Sequence, residues 1–182
     1  MILDDDLREL PANTEGPLYF RDATGRGIVY PNDPDKTAAS NPQPGLFTLG
    51  EIGYIDSDGY VYITDRFSDM VVSGGVNIYP AEAEQLLIEH PDVADVGCFG
   101  VPHADMGEQL VGLVIPTDPA RPPTAADLSL WLGERLSRFK CPREYHLVDD
   151  LLRSTMGKIN KRKLRDAWLA GDIHELEVIP QL

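Results

Sequence analysis

Lys158 closes the stretch Arg153-Ser154-Thr155-Met156-Gly157-Lys158, immediately before the expected start of a helix. Glycine at position 157 lets the backbone take positive φ or come close to a ligand. A lysine after it can set one mobile point charge on a phosphate or a carboxylate. The stretch is not a GxxxxGK[ST] phosphate loop, because Leu152 and Ile159 occupy its first and last positions. A second pair of glycines stands in Ser73-Gly74-Gly75, after the apolar Met70-Val71-Val72 and before Pro80. Paired glycines permit a tight turn or a close backbone approach to a narrow ligand. Glu51 follows Leu49-Gly50, where a carboxylate can accept hydroxyl hydrogen bonds from a sugar, and Asp65-Arg66 ends a strand. Each of these also has a plain reading: a solvated basic helix start, a hairpin turn, a surface ion pair of little energetic weight. His90, His103, His146, His174, Cys98 and Cys141 form no CxxC, HxxxH or HExxH spacing, so no metal site is expected from this chain.

The elements that position these residues fall into two stretches. Up to residue 66 the chain is rich in Gly, Pro and Asp between short apolar alternations. Leu18–Phe20 and Gly27–Tyr30 read as short strands, and Pro31–Asp35 as a turn. Ile52–Asp56 and Tyr60–Thr64 flank Ser57-Asp58-Gly59 and read as a hairpin. No long helix is expected before residue 79, so this sheet lacks a cover of its own and reads as the end of a larger domain. From residue 79 the expected order is α-β-β-α-β-α. It comprises a helix opened by Pro80, strands over 93–101 and 109–116, and a helix capped by Thr124 and Asp127. A strand over 144–148 and a helix from Asn160 to Ala170 closed by Gly171 complete it. The fold class is α+β, a short antiparallel sheet with flanking helices, preceded by strands from the end of a larger β-rich subdomain.

Composition narrows the function classes. The 182 residues include 42% hydrophobic and 25% charged side chains, ordinary for a folded domain. The net charge is −14, which argues against a global binder of nucleic acid or anionic membrane. Residues 153–165 contain six basic side chains and no acid, while the remaining 169 residues hold 10 basic and 30 acidic ones. One cationic patch on an acidic protein fits a small anionic ligand better than a polyanion. No aromatics interleave with these cations, as single-strand recognition would require. No apolar run approaches a membrane span, the acidic start MILDDDLREL is not expected to act as a secretory signal, and the cysteines Cys98 and Cys141 are too few for a disulfide framework. A cytoplasmic setting with reduced thiols is expected.

Taken in order, the local signals gain weight. Leu46–Asp56, Asp58-Gly59-Tyr60, Thr64-Asp65-Arg66, Asp69–Glu84, Arg138-Phe139-Lys140-Cys141-Pro142 and Arg153–Ile159 together resemble the C-terminal third of the adenylate-forming acyl-CoA synthetases, from about residue 3 to residue 169. The resemblance implies a carboxylic acid activated by ATP with Mg²⁺ to an acyl-AMP, then passed to the thiol of CoA. It implies that Lys158 is the adenylation lysine. Glu51 corresponds to a ribose-binding Asp, with one extra methylene, and Arg66 to the nucleotide-binding Arg. By the same resemblance, Ser68 falls at a hinge where many relatives have Asp or Lys, and Ser73, Gly74 and Gly75 correspond to the segment that lines the CoA tunnel. A lysine that some relatives carry in the 70–75 stretch is missing here.

The resemblance further implies that residues 1–67 end a large N-terminal AMP-binding domain and residues 68–182 form a mobile C-terminal domain. The phosphate loop, adenine-binding motif and acyl pocket of the family do not occur in these residues, so the chain is expected to be inactive alone. The competing reading is a freestanding, non-catalytic nucleotide- or partner-binding module that keeps the ligase C-terminal fold.

Overall fold

The computed structural model of the chain describes residues 1–173 and the backbone of residues 175–179; His174 lies outside them. Its contacts form two compact units, Met1–Ser68 and Asp69–Leu182.

The first unit is a three-stranded antiparallel sheet in the order β1 (Gly16–Arg21), β2 (Leu46–Ile55), β3 (Val61–Arg66), with a short helix α1 (Pro34–Ser40) between β1 and β2. The hairpin turn forms where expected: the Asp56 carboxylate accepts the Asp58 and Tyr60 amides, both at 2.9 Å, and Gly59 takes φ of 87°. Tyr54 and Tyr62 stack across the two strands with centroids 4.8 Å apart. The register slips between Ile52 and Gly53, where a Cβ on Gly53 would stand 2.1 Å from the Tyr62 carbonyl oxygen. Only glycine fits that approach.

Two readings of this stretch are corrected. Gly27–Tyr30 is not a strand, because side chains satisfy its backbone: Asn41 accepts the Ile28 amide and donates to the Ile28 carbonyl, and the Thr37 hydroxyl accepts the Tyr30 amide. The expected turn over Pro31–Asp35 runs into α1, since Asp33 caps it by accepting the Lys36 amide and Pro34 occupies the first turn. This helix buries no residue. The unit's buried apolar set is correspondingly small, namely Ile2, Leu3, Leu18, Leu46 and Ile52, while Tyr60, Val61 and Ile63 remain 68%, 52% and 59% exposed.

The second unit runs β4 (Val71–Ser73), β5 (Val76–Ile78), α2 (Pro80–Leu87), β6 (Val93–His103), β7 (Gly107–Pro116), α3 (Ala125–Gly133), β8 (Glu144–Val148), α4 (Lys161–Ala170) and β9 (Glu175–Ile179). Its sheet has the path β5-β4-β7-β8-β9, with β6 along β7. The sheet is antiparallel except for one parallel pair, β7 with β8, which the crossover through α3 makes necessary. The strand β9 was not anticipated.

Both faces of β6 and β7 are covered. Val96, Cys98, Leu110 and Val114 pack with Ala83 and Leu87 of α2 and Leu128 and Leu132 of α3. Phe99, Val101, Val111 and Leu113 pack with Leu151 and with Leu164 of α4. Burial on both faces explains why these strands read as almost continuous apolar runs. Local capping is as the sequence implies: Thr124 and Asp127 form a capping box, Asn160 accepts the Lys163 amide, and Gly171 closes α4 at φ 74°.

Along the outer edge of β6, the Glu84 carboxylate accepts the Cys98 amide at 2.7 Å and pairs with the Lys161 ammonium at 3.1 Å. One acidic side chain of α2 thus ties α4 to the strand edge.

Candidate functional site

Lys158 sits at the end of a small closed loop. The Ser154 amide donates to the Lys158 carbonyl at 2.9 Å and the Gly157 amide to the Ser154 carbonyl at 2.8 Å. The Lys158 amide donates to the Ser154 hydroxyl at 3.2 Å. Gly157 has φ of 77°, the left-handed conformation that closes such a turn. Lys158 itself is exposed, and among the described residues its side chain forms no ion pair, unlike Arg153, Lys161 and Arg165 nearby. Its charge is therefore available to an incoming anion.

Both flanks of the loop are fixed. On one side Arg153 spans Asp95 with two charge-assisted bonds, Nε to Oδ2 at 2.6 Å and Nη2 to Oδ1 at 2.5 Å, and its Nη1 donates to the Gly157 carbonyl at 2.5 Å. The Asp95 hydrogen bonds are the main cause of a raised Arg153 pKa. On the other side Ile159 packs into the cluster beneath α4. A Cβ on Gly97 would stand 3.1 Å from Leu164 Cδ2, 3.3 Å from Ile159 Cδ1 and 3.5 Å from Leu151 Cδ2. The missing side chain is what seats Ile159 on β6. Gly97→Val is expected to displace Ile159 and destabilise the chain by about 1–3 kcal/mol. Thermal unfolding would check this; an unchanged midpoint would mean that Ile159 is not seated there.

The glycine pair forms a two-residue hairpin turn. Ser73 and Val76 are opposite in the β4–β5 register, and Gly74 and Gly75 have φ of 58° and 81°. Positive φ at both central residues is the type I′ pattern. The Gly74 amide donates to the Met106 carbonyl at 2.9 Å, which fixes the turn against the start of β7. The plain hairpin reading is thus correct, and a ligand contact at Gly74 and Gly75 is compatible with it, because both are exposed. Ser73 differs from them: it is buried, at 6% exposure, and its backbone lies opposite Gly107 of β7. Glu108 joins this hairpin to α4, accepting the Val72 amide at 3.2 Å and pairing with Arg165 at 3.1 Å.

In the first unit Glu51 and Arg66 are direct cross-strand partners on β2 and β3. Their Oε1 and Nε stand 3.6 Å apart, with Arg66 62% and Glu51 21% exposed. A pair this open adds little stability. Its value is that a carboxylate acceptor and a guanidinium donor are presented side by side. Ser68 is exposed in the 3-10 turn Phe67–Asp69, at the end of this unit.

Sequence reasoning overlooked two features. Asp95, the anchor of Arg153, gave no local signal because its partner is far along the chain. Thr64 donates to the Glu15 carboxylate at 2.5 Å and to the Ile52 carbonyl at 3.4 Å, which ties β3 near Arg66 to the segment preceding β1. Among the described residues no group of His, Cys, Asp and Glu could hold a metal ion, and no helix is long and apolar enough to cross a membrane.

Comparison with known proteins gives a consistent neighbourhood. Residues 82–158 match the model of the AMP-binding enzyme C-terminal domain, a match that ends on Lys158. The chain is 38% identical over 167 residues to a fatty acid–[acyl-carrier-protein] ligase of Streptomyces coeruleorubidus, covering 92% of this chain and 32% of that protein. It is 40% identical over 136 residues to a 2-succinylbenzoate–CoA ligase of Geobacillus kaustophilus, covering 75% of this chain and 27% of that protein. Among solved structures it resembles ATP-bound MatB from Rhodopseudomonas palustris, with a TM-score of 0.80 and 35% identity over 92% of this chain and 33% of that one. It also resembles an o-succinylbenzoate CoA synthetase from Bacillus subtilis bound to its acyl-adenylate, with a TM-score of 0.78 and 30% identity over 91% of this chain and 33% of that one. The chain spans about a third of the length of these relatives.

Proposed function

We propose, from the match of residues 82–158 to the AMP-binding enzyme C-terminal domain, that the chain is the C-terminal part of an ATP-dependent acid–CoA ligase and supplies that enzyme's adenylation lysine, Lys158. The observation that carries the reading is the loop itself: an exposed ammonium, without an ion pair among the described residues, on a backbone closed by hydrogen bonds, at the last residue of the family match.

In this reading a carboxylate attacks the α-phosphate of ATP, with Mg²⁺ on the phosphates, to give acyl-AMP and pyrophosphate. Lys158 places positive charge where negative charge builds on the transferring oxygens, which lowers the barrier more than it strengthens ground-state binding. Glu51 accepts the ribose hydroxyls and Arg66 contacts the ribose or phosphate end of the nucleotide. Their cross-strand pairing supports a shared ligand. A thiol sulfur then attacks the acyl carbon, the bond to the phosphate oxygen breaks, and AMP leaves as the thioester forms. CoA is the acceptor we favour, with the Gly74–Gly75 turn lining its tunnel beside Ser73; a relative named for a carrier protein keeps a carrier-borne thiol as the alternative acceptor.

Residues 1–67 are read as the end of a larger AMP-binding domain, and residues 68–182 as the mobile domain, with Ser68 at the hinge. The exposed Tyr60, Val61 and Ile63, on a sheet whose short helix has no buried residue of its own, support that placement of the first stretch. Few backbone torsions at such a point suffice for domain rotation between half-reactions.

The purified 182-residue chain is expected to catalyse no ATP–pyrophosphate exchange with any of a panel of fatty and aromatic acids. The protein made from the uninterrupted natural reading frame is expected to catalyse it. Acyl-CoA formation by the short chain alone would overturn the assignment as a dependent part. A natural product of about 20.1 kDa without exchange would favour a non-catalytic module instead.

A further inference from the structure

Arg153 links the loop that carries Lys158 to the sheet by side-chain hydrogen bonds. Asp95 lies near the start of β6, and its Oδ1 also accepts the neighbouring Val96 amide at 2.9 Å, so the carboxylate is held by its own strand. Arg153 uses one edge of its guanidinium on that carboxylate and its remaining amino group on the Gly157 carbonyl, one residue before Lys158. Leu152, just before Arg153, has φ of 50°, in the left-handed region that costs a branched side chain strain. Its amide is held by the Asp150 carboxylate at 2.9 Å, and its side chain packs on the cluster beneath α4. A strained backbone residue thus aims Arg153 at both of its partners.

Energetics separates two meanings of this arrangement. The Arg153 and Asp95 side chains are 40% and 23% exposed. Ion pairs this open contribute only about 0–1 kcal/mol to stability. A planar guanidinium spanning two acceptors nevertheless restricts orientation strongly. Its effect should therefore appear in where the loop is held and hardly in whether the domain folds.

We propose that Arg153, anchored by Asp95, is a positioning residue that fixes the Gly157–Lys158 peptide and so places the Lys158 ammonium for adenylation. The inference rests on the assignment of Lys158 given above. Placement of a charged group matters steeply, since an error of about 1 Å in a catalytic group can cost on the order of 10²-fold in rate.

The test uses two readouts. In the 182-residue chain, Arg153→Ala should speed hydrogen exchange of the Gly157 and Lys158 amides by about tenfold or more. Those of β7 and the thermal midpoint should change little. Unchanged exchange at the loop would overturn the proposal. In the complete ligase, Arg153→Ala and Asp95→Asn should each slow adenylation by about 10- to 100-fold and leave acyl transfer from supplied acyl-AMP unchanged. Arg153→Lys should recover only part, because an ammonium cannot span both acceptors in one plane.

The deciding comparison is the double variant. Adding Arg153→Ala to Lys158→Ala should cause no further loss if Arg153 acts through Lys158. Multiplying losses, or equal losses in both half-reactions, would show a merely structural role. If Lys158→Ala alone kept full adenylation, the lysine assignment would fail. If Lys158→Ala lost adenylation and Arg153→Ala did not, only the positioning role would fail.

Discussion

Lys158→Ala in the complete ligase is expected to slow adenylation by about 10²-fold or more, the magnitude of losing a charge contact made mainly in the transition state. The structure makes this a clean substitution. Lys158 is exposed, its side chain forms no ion pair among the described residues, and the loop is closed through backbone atoms and Ser154. Truncating the side chain leaves every one of those bonds in place, so no loss of fold should accompany the loss of rate. Acyl transfer from supplied acyl-AMP needs no charge on the α-phosphate and should be nearly unchanged. Pyrophosphate exchange and thioester formation, measured separately on the same preparation, decide the matter. Equal losses in the two would refute the role.

Gly74 should behave in the opposite sense. A bulky residue there, such as tryptophan, is expected to depress thioester formation strongly while sparing adenylation, because under the proposed tunnel assignment the side chain would stand in the path of the thiol arm. The difficulty is conformational. Gly74 has φ of 58°, where most side chains cost about 1–2 kcal/mol, and a Cβ would meet Met106 Cε at 3.3 Å. Gly74→Asn solves this, because Asn-Gly is the preferred sequence of a type I′ turn. Gly74→Asn should therefore keep the fold and lose thioester formation in part, and Gly74→Trp should lose it further. A fall in adenylation with thioester formation intact would reverse the tunnel assignment.

Most of the second unit could be read from local pattern. Pro80, the Thr124–Asp127 box, Asn160 and Gly171 mark helix ends by chemistry that acts within a few residues, and each does so in the structure. What escaped reading depends on partners distant in sequence. Gly27–Tyr30 has strand-like composition, yet Thr37 and Asn41 take its backbone hydrogen bonds. The parallel pairing of β7 with β8 depends on the path of α3, which no alternation of apolar residues encodes. The same holds for the loop chemistry. Gly157 and Lys158 announce themselves, whereas Asp95 is one acid among 30 acidic side chains until Arg153 is seen to span it.

The Glu84–Cys98 contact has a further meaning at the level of molecules rather than residues. Among the described residues β6 has β7 as its sole sheet neighbour, so its outer side is an open edge of apolar, β-prone sequence. Such an edge is a template on which another chain can add a strand. Here the carboxylate occupies an outward amide in the middle of the strand, and the Lys161–Glu84 and Arg153–Asp95 pairs set charges along its border. These charges therefore blunt the edge against self-association.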